Sequence, residues 1–228
     1  MKYYKFEYNS LNEKETGTQF QCADGYIGDM QRNIFPMEGK IEFEFELPIP
    51  YMDKKAKSTT LLNFIPISYD FMVLKNYFID FIKNYNIGEF QEWSIKVTHN
   101  KTYYQDYSLF ILNYPKQREI VDFRNSSFYL GRYSDYKFIG QNICVDSYDN
   151  YLSILEVLGE NEDNFLKCSK IKLDLSKVDL DLLRLSNTPL AGGYYVSERL
   201  KKEIEKQRFT GFKFVAIEEM DSRIQVKY

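Results

Sequence analysis

Near its C-terminal end the chain carries Tyr194-Tyr195-Val196-Ser197-Glu198-Arg199-Leu200-Lys201-Lys202-Glu203-Ile204, then Arg208-Phe209-Thr210-Gly211-Phe212-Lys213-Phe214. No other stretch leaves its local structure so few alternatives. Ser197 can accept a hydrogen bond from an orphan amide at a helix start, and Glu198 sits where the helix dipole favours an anion. Val196, Leu200 and Ile204 recur every four residues and predict one apolar helix face. Gly211 is free to take the left-handed backbone of a helix-to-strand turn. Phe212 and Phe214 then share one face of a strand.

The chain has 228 residues, enough for a substantial core. No apolar run is long enough to cross a bilayer; Leu61 to Ile67 is among the longest. Residues Met1 to Glu7 lack an apolar signal region, so a cytoplasmic protein is expected. A net charge of -3 argues against general nucleic-acid binding. The three cysteines, Cys22, Cys144 and Cys168, are too scattered for a disulfide framework or a zinc site. His99 is the only histidine, so a two-histidine metal site or relay cannot form. The 20 Tyr and 18 Phe suit an interface, though their use beside abundant Lys, Asn and Ile also fits an AT-rich codon bias.

Alternation predicts a strand over Tyr3 to Tyr8, with Tyr4, Phe6 and Tyr8 on one side. The clearest alternation is Lys40 to Leu47, with Ile41, Phe43, Phe45 and Leu47 inward and Glu42, Glu44 and Glu46 outward. Those carboxylates read as an acidic binding ridge or as a solvated face that discourages edge pairing. A buried strand is expected over Thr59 to Ile67. A helix is expected from a Ser68 cap through Phe71, Leu74, Phe78, Phe81, Ile82 and Tyr85 to Gly88, and a strand over Gln91 to Val97. This helix-to-strand unit echoes Leu200, Ile204, Gly211 and Phe212, a weak sign of an internal repeat. Tyr103, Tyr104 and Tyr107 are placed just before a strand running through Leu109 to Asn113. A hairpin is expected over 119–130, strands over 137–145, 170–175 and 222–227, an element of either type over 146–158, and one helical turn over 180–185. Glu160, Glu162 and Asp163 fall in an acidic loop. No linker divides the chain. The expected fold is α+β, with mixed or mostly antiparallel sheets packed with a few amphipathic helices, in one domain over 1–228 that could form two lobes, 1–115 and 116–228.

Signatures for a phosphate-cradling loop, a nucleophile elbow or a metal site are missing from the sequence. Asp179 and Asp181 read as solvated acids. Asp174, Asp179 and Asp181 lack the spacing of a known calcium loop. Ser197 with Lys201 could suggest a Ser-Lys pair, but capping accounts for Ser197. No residue is assigned a catalytic, cofactor-binding or metal role.

The pieces Asp174-Leu175-Ser176-Lys177-Val178, Leu182-Leu183-Arg184-Leu185, Val196-Ser197-Glu198-Arg199-Leu200-Lys201 and Thr210-Gly211-Phe212-Lys213-Phe214 together resemble a family of bacterial immunity proteins from polymorphic toxin systems, long filed as a domain of unknown function. The family usually has Phe where this chain has Leu183, and Leu where it has Phe209. The resemblance implies a cytoplasmic inhibitor that binds a cognate toxin protein and occludes it, without catalysis, cofactor, nucleic acid or membrane. Contact residues vary in such proteins and cannot be carried across. Composition offers Glu42, Glu44, Glu46, Tyr103, Tyr104, Tyr107, Glu160, Glu162 and Asp163 as partner-binding candidates. The competing readings are a small hydrolase using Cys144 or Cys168 with His99, and a nucleic-acid module using the aromatics.

Overall fold

The computed structural model describes residues 1–31, 34–67 and 70–228, so the expected Ser68 cap lies outside the described residues. In chain order the elements are β1 (Tyr3–Tyr8), α1 (Glu13–Thr16), β2 (Asp24–Tyr26), β3 (Ile49–Met52), β4 (Leu61–Leu62), β5 (Met72–Lys75), α2 (Asn76–Ile82), β6 (Phe90–His99) and β7 (Thr102–Leu112). There follow α3 (Gln117–Ile120), β8 (Ser127–Arg132), β9 (Asn142–Ile143), α4 (Tyr148–Gly159), β10 (Asn164–Asp174), β11 (Leu182–Leu185), β12 (Gly193–Ser197), α5 (Glu198–Glu205), β13 (Phe212–Ala216), α6 (Ile217–Met220) and β14 (Ile224–Lys227). The fold is α+β. A central antiparallel sheet has the order β11-β12-β1-β13. A six-stranded sheet, β2-β3-β6-β7-β5-β4, is antiparallel except where β3 meets β6. A third sheet, β14-β10-β8-β9, is antiparallel except where β14 meets β10.

Alternating side chains place a core on each face of the central sheet. Tyr3, Leu183, Leu185 and Tyr195 point into a core shared with the third sheet, α3 and α4. Phe6, Leu182, Tyr194 and Val196 point the other way, into a core shared with α2, α5 and the six-stranded sheet. A third core lies on the far face of the six-stranded sheet, among Val73, Val97, Leu109 and Ile111. The six-stranded sheet lies wholly before residue 115 and the third sheet wholly after it, while the central sheet sets β1, from the chain's start, between β12 and β13, from near its end.

The opening stretch folds much as its residues dictate. Ser197 Oγ caps α5 by accepting the Leu200 amide at 3.1 Å. Leu200 and Ile204 are buried on one face of α5, whereas Val196 belongs to β12 and reaches the same core from there. Gly211 has φ +90°, and a Cβ there would lie 2.2 Å from the Leu61 carbonyl oxygen. Phe212 and Phe214 pack around Phe6, with ring centroids 4.7 and 5.9 Å from it.

Several expectations need correction. The helix expected from Phe71 is instead β5 followed by the shorter α2. Met72 and Leu74 enter one core while Val73 enters another, so the strand is apolar up to Lys75. An all-apolar run of this kind cannot be told from a buried helix by period. Within 180–185, where a helical turn was expected, Leu182–Leu185 form the strand β11: Leu182 enters one core, Leu183 and Leu185 the other, and Arg184 is buried, so no solvent-facing phase marks the period. The 119–130 hairpin is replaced by α3, a 3₁₀ turn at Phe123–Asn125 and β8. Asp122 accepts the Asn125 amide at 3.2 Å to hold that turn. Of 137–145 only β9 is a strand, and of 59–67 only β4. Tyr103, Tyr104 and Tyr107 lie within β7 itself. The ambiguous 146–158 segment is helix α4, capped by Ser147.

The segment 40–47 joins no sheet and keeps its alternation only in part: Ile41, Phe45 and Leu47 turn toward the core, whereas Phe43, expected inward, is exposed. Ile41 exchanges backbone hydrogen bonds with the Gln91 side chain at 2.8 and 3.0 Å, and the Glu46 amide donates to Asp29 at 2.8 Å. β6 already has β3 and β7 as neighbours, so the segment crosses the sheet face. There Phe45 meets Trp93 edge-on at 5.1 Å and Phe35 at 5.0 Å.

The weak sequence echo has a structural counterpart. β5 leads directly into α2 and then to β6, and β5 and β6 flank β7. β12 leads directly into α5 and then to β13, and β12 and β13 flank β1. Both helices pack into the core between the two sheets. Leu200→Ala should lower the unfolding free energy by about 2–5 kcal/mol, since its side chain is fully buried among both helices. Urea titration against wild type checks this, and a loss under about 0.5 kcal/mol would contradict the assigned burial.

Candidate protein-interaction surface

The nine sequence candidates fall into three separate places. Glu42, Glu44 and Glu46 are exposed on the segment that crosses the six-stranded sheet. Tyr103 is 65% exposed on β7. Register pairs it with Thr98 on β6, which pairs with Tyr51 on β3, itself 44% exposed, so the two tyrosines share a row. Tyr104 is half-buried, its ring 5.1 Å below the Lys75 ammonium. Tyr107 is fully buried and unavailable to a partner. Its hydroxyl donates to the Thr59 carbonyl at 2.8 Å and meets Ser58 Oγ at 2.9 Å.

The acidic loop after α4 belongs to a better-formed surface at one end of the third sheet. Asp163 is turned inward on the loop: its carboxylate accepts the Ser134 amide and hydroxyl, both at 2.7 Å. Those hydrogen bonds hold its carboxyl below the usual carboxylate range. Tyr133 donates its amide to the Asp163 carbonyl at 2.8 Å, and Lys167 donates to the Tyr136 carbonyl at 2.8 Å. The tip is thus pinned at both ends. Tyr133, Tyr136 and Phe165 form a triangle with ring centroids 4.7, 6.1 and 6.2 Å apart. Gly131 makes room for it, since a Cβ there would lie 2.6 Å from the Phe165 ring. Arg132 stacks on Phe138 at 4.2 Å. Tyr136 and Ile139 remain 68% and 64% exposed, with Tyr133 at 53%. Glu160 and Glu162 are exposed on the adjoining loop. Sequence reasoning named the acids and missed Tyr133, Tyr136 and Ile139. The available signal was an aromatic run broken by Ser134-Asp135, a turn composition that places bulky side chains at an exposed bend.

The groups considered for chemistry are dispersed over the fold. Burial pushes the Cys22 thiol up to about 12 and the Cys168 thiol up to about 11. Cys144 is exposed beside β9, in the third sheet, whereas His99 ends β6 in the six-stranded sheet. His99 Nε2 meets the Lys54 carbonyl at 3.3 Å, and its ring stacks on Tyr104. Ser197 donates to Asp181 at 2.6 Å, while Lys201 pairs with Glu205 at 2.6 Å, so the two form no Ser-Lys couple. Asp174 is held by Lys227 at 2.8 Å and by Ser176. A depression of about 480 Å³ lies beside it, lined by Lys116, Glu119 and Lys177 among others, and there Lys116 pairs with Glu119 at 3.1 Å.

Asp181, read from sequence as a solvated acid, is fully buried. It accepts from Ser197 Oγ at 2.6 Å, from Arg199 Nε at 3.0 Å and Nη2, and from the Asn86 amide at 3.1 Å. Burial alone would raise its pKa; the Arg199, Ser197 and Asn86 bonds outweigh that and lower it. It joins the β12–α5 junction to the loop between α2 and β6.

No protein-family model matches the chain, and no curated protein matches it.

Two measurements follow from this chemistry. A thiol-reactive dye at neutral pH should label Cys144 quickly in the native protein and Cys22 and Cys168 only on unfolding. Rapid native labelling of a second cysteine would contradict it. For Asp181, a lowered folded pKa means stability present above the unfolded carboxylate value, near 4, and lost as pH falls through the folded pKa. Asp181→Asn should cost about 2–3 kcal/mol at neutral pH, where a buried charged acceptor is lost. That cost should shrink as wild type is acidified below pH of about 4, and a pH-independent difference would be inconsistent with an ionised Asp181.

Proposed function

We propose that this chain is an immunity protein that binds a bacterial toxin domain and occludes it without chemistry of its own, in the cytoplasm. The sequence resemblance in 174–214 supports the class. Its pieces fall in the scaffold: Leu182 to Leu185 form β11, Ser197 caps α5, and Gly211 turns the chain into β13. The observation that carries the binding role is the tip at Tyr133, Tyr136 and Ile139, pinned from behind by Asp163 and Lys167 yet exposed in front.

A pinned aromatic group suits recognition because its side chains lose little further entropy when a partner covers them. Tyrosine is also among the residues that carry interface energy. Glu160 and Glu162 at the rim would speed encounter with a basic toxin and penalise acidic ones. The Tyr51–Tyr103 row and the Glu42, Glu44 and Glu46 segment are secondary contact regions. Tyr107 and Asp163 support the fold and are withdrawn from the contact set.

Co-expression with the toxin domain encoded beside its gene tests the reading. Cells carrying this chain should survive, and survival equal to an empty vector would reject the immunity role. Tyr133→Ala with Tyr136→Ala should weaken binding of the purified toxin domain by about 2–4 kcal/mol with the fold intact. Unchanged affinity in that variant would move the contact surface elsewhere.

A further inference from the structure

Among the described residues β13 is the outer strand of the central sheet, with β1 as its one strand partner. The register pairs Lys5 with Val215, Phe6 with Phe214 and Glu7 with Lys213, and the Asn9 amide continues the ladder by donating to the Gly211 carbonyl at 3.1 Å. Hydrogen-bonded and non-bonded pairs alternate along an antiparallel ladder. The odd-numbered residues Lys213 and Val215 therefore bond to β1. Phe212, Phe214 and Ala216 turn their backbone groups outward. Among the described residues no backbone bond reaches the outward groups of Phe212 and Phe214.

Natural sheets guard such edges with a charge, a proline, a bulge or a covering element. Here the one charged side chain in the strand, Lys213, is drawn across the ladder by Glu7 at 3.1 Å. Neither a proline nor a register shift interrupts β13. The edge is also self-complementary. With Phe214 opposite Phe214 of a second copy, Phe212 faces Ala216, a large side chain against a small one. Lys213 then faces Val215, so no like charges stand directly opposite. This register matches every outward-facing residue with another outward-facing residue.

We propose that β13 pairs antiparallel with β13 of a second copy of this chain, about a two-fold axis at Phe214, joining the two central sheets into one. The strand has five residues, so the contact is at the small end of specific interfaces and the dimer dissociable, with a Kd on the order of micromolar. This inference is independent of the toxin-binding reading, since the aromatic tip lies on a different sheet.

Sedimentation equilibrium on the full chain tests it, using variants chosen to leave β1 pairing intact. Ala216 has φ -59°, which proline accepts, and Ala216→Pro removes an outward amide without touching the bonds to β1. It should raise the dimer Kd by about tenfold or more with the melting temperature preserved. Val215→Glu places a carboxylate opposite Lys213 of the second copy and should tighten the dimer; Val215→Lys should loosen it, and salt should shrink the difference. A wild type that stays monomeric up to high micromolar concentration overturns the proposal. So does a dimer indifferent to Ala216→Pro, or Val215→Glu and Val215→Lys shifting the equilibrium in the same direction.

Discussion

The architecture depends on β1 occupying the middle of the central sheet. Its six residues bond to β12 on one side and β13 on the other, and its alternating side chains feed different cores. Tyr3 points into the core under the third sheet and fixes its hydroxyl on the Leu180 carbonyl at 2.8 Å. Phe6 points into the core between the central and six-stranded sheets and touches Phe78 of α2 and Phe212 of β13. Without β1, β12 and β13 would lose their shared neighbour, and each core would lose an aromatic anchor. Forming it brings residue 3 next to residue 197, so the loop to be closed nearly equals the chain. Such non-local pairing carries a large loop-closure entropy and slows folding.

Asp181 and Arg184 supply the polar ties between layers. Asp181 joins the α5 start to the Asn86 loop, so the two strand–helix–strand units share a buried charge. Arg184 is almost wholly buried and pairs with Asp70 at 3.7 Å while donating to the Met37 carbonyl at 3.0 Å. Buried charges are costly unless paired and hydrogen-bonded, so each tolerates few alternative packings. Apolar contact alone would let two similar sheets slide against the helices between them. These charged ties add directional contacts between the layers.

What could be read from sequence follows how many faces an element buries. α5 buries one face, so its period, its Ser197 cap and its Gly211 exit were all legible. β1 carries Lys5 and Glu7 among its aromatics and also kept a readable alternation. β5 and β11 are buried on both sides and read as helix, because Met72 to Leu74 are all apolar and the one polar residue of Leu182 to Leu185, Arg184, is buried and marks no solvent-facing phase. Segment 40–47 failed in the opposite way: its alternation places Ile41, Phe45 and Leu47 inward but not Phe43, and side chains of Gln91 and Asp29 bond to its backbone in place of a neighbouring strand. At the candidate surface the acids were visible because charge is read residue by residue. The exposure of Tyr133 and Tyr136, and the burial of Tyr107, depend on register and on long-range contacts that no local pattern encodes.

The division of labour between scaffold and surface follows from these contacts. Leu182, Leu183, Val196, Leu200 and Gly211 are each held by packing or by backbone geometry, so changes there act first on stability. The tip at Tyr133, Tyr136 and Ile139 stands outside the three cores, and its loop is secured through Asp163, Lys167 and Gly131. Exposed side chains there can change with little effect on folding, while the pinned backbone keeps whatever they present in a fixed geometry. The proposed binding role would draw on that separation: stability rests on residues inside the three cores, and the exposed tip carries side chains that the fold does not need.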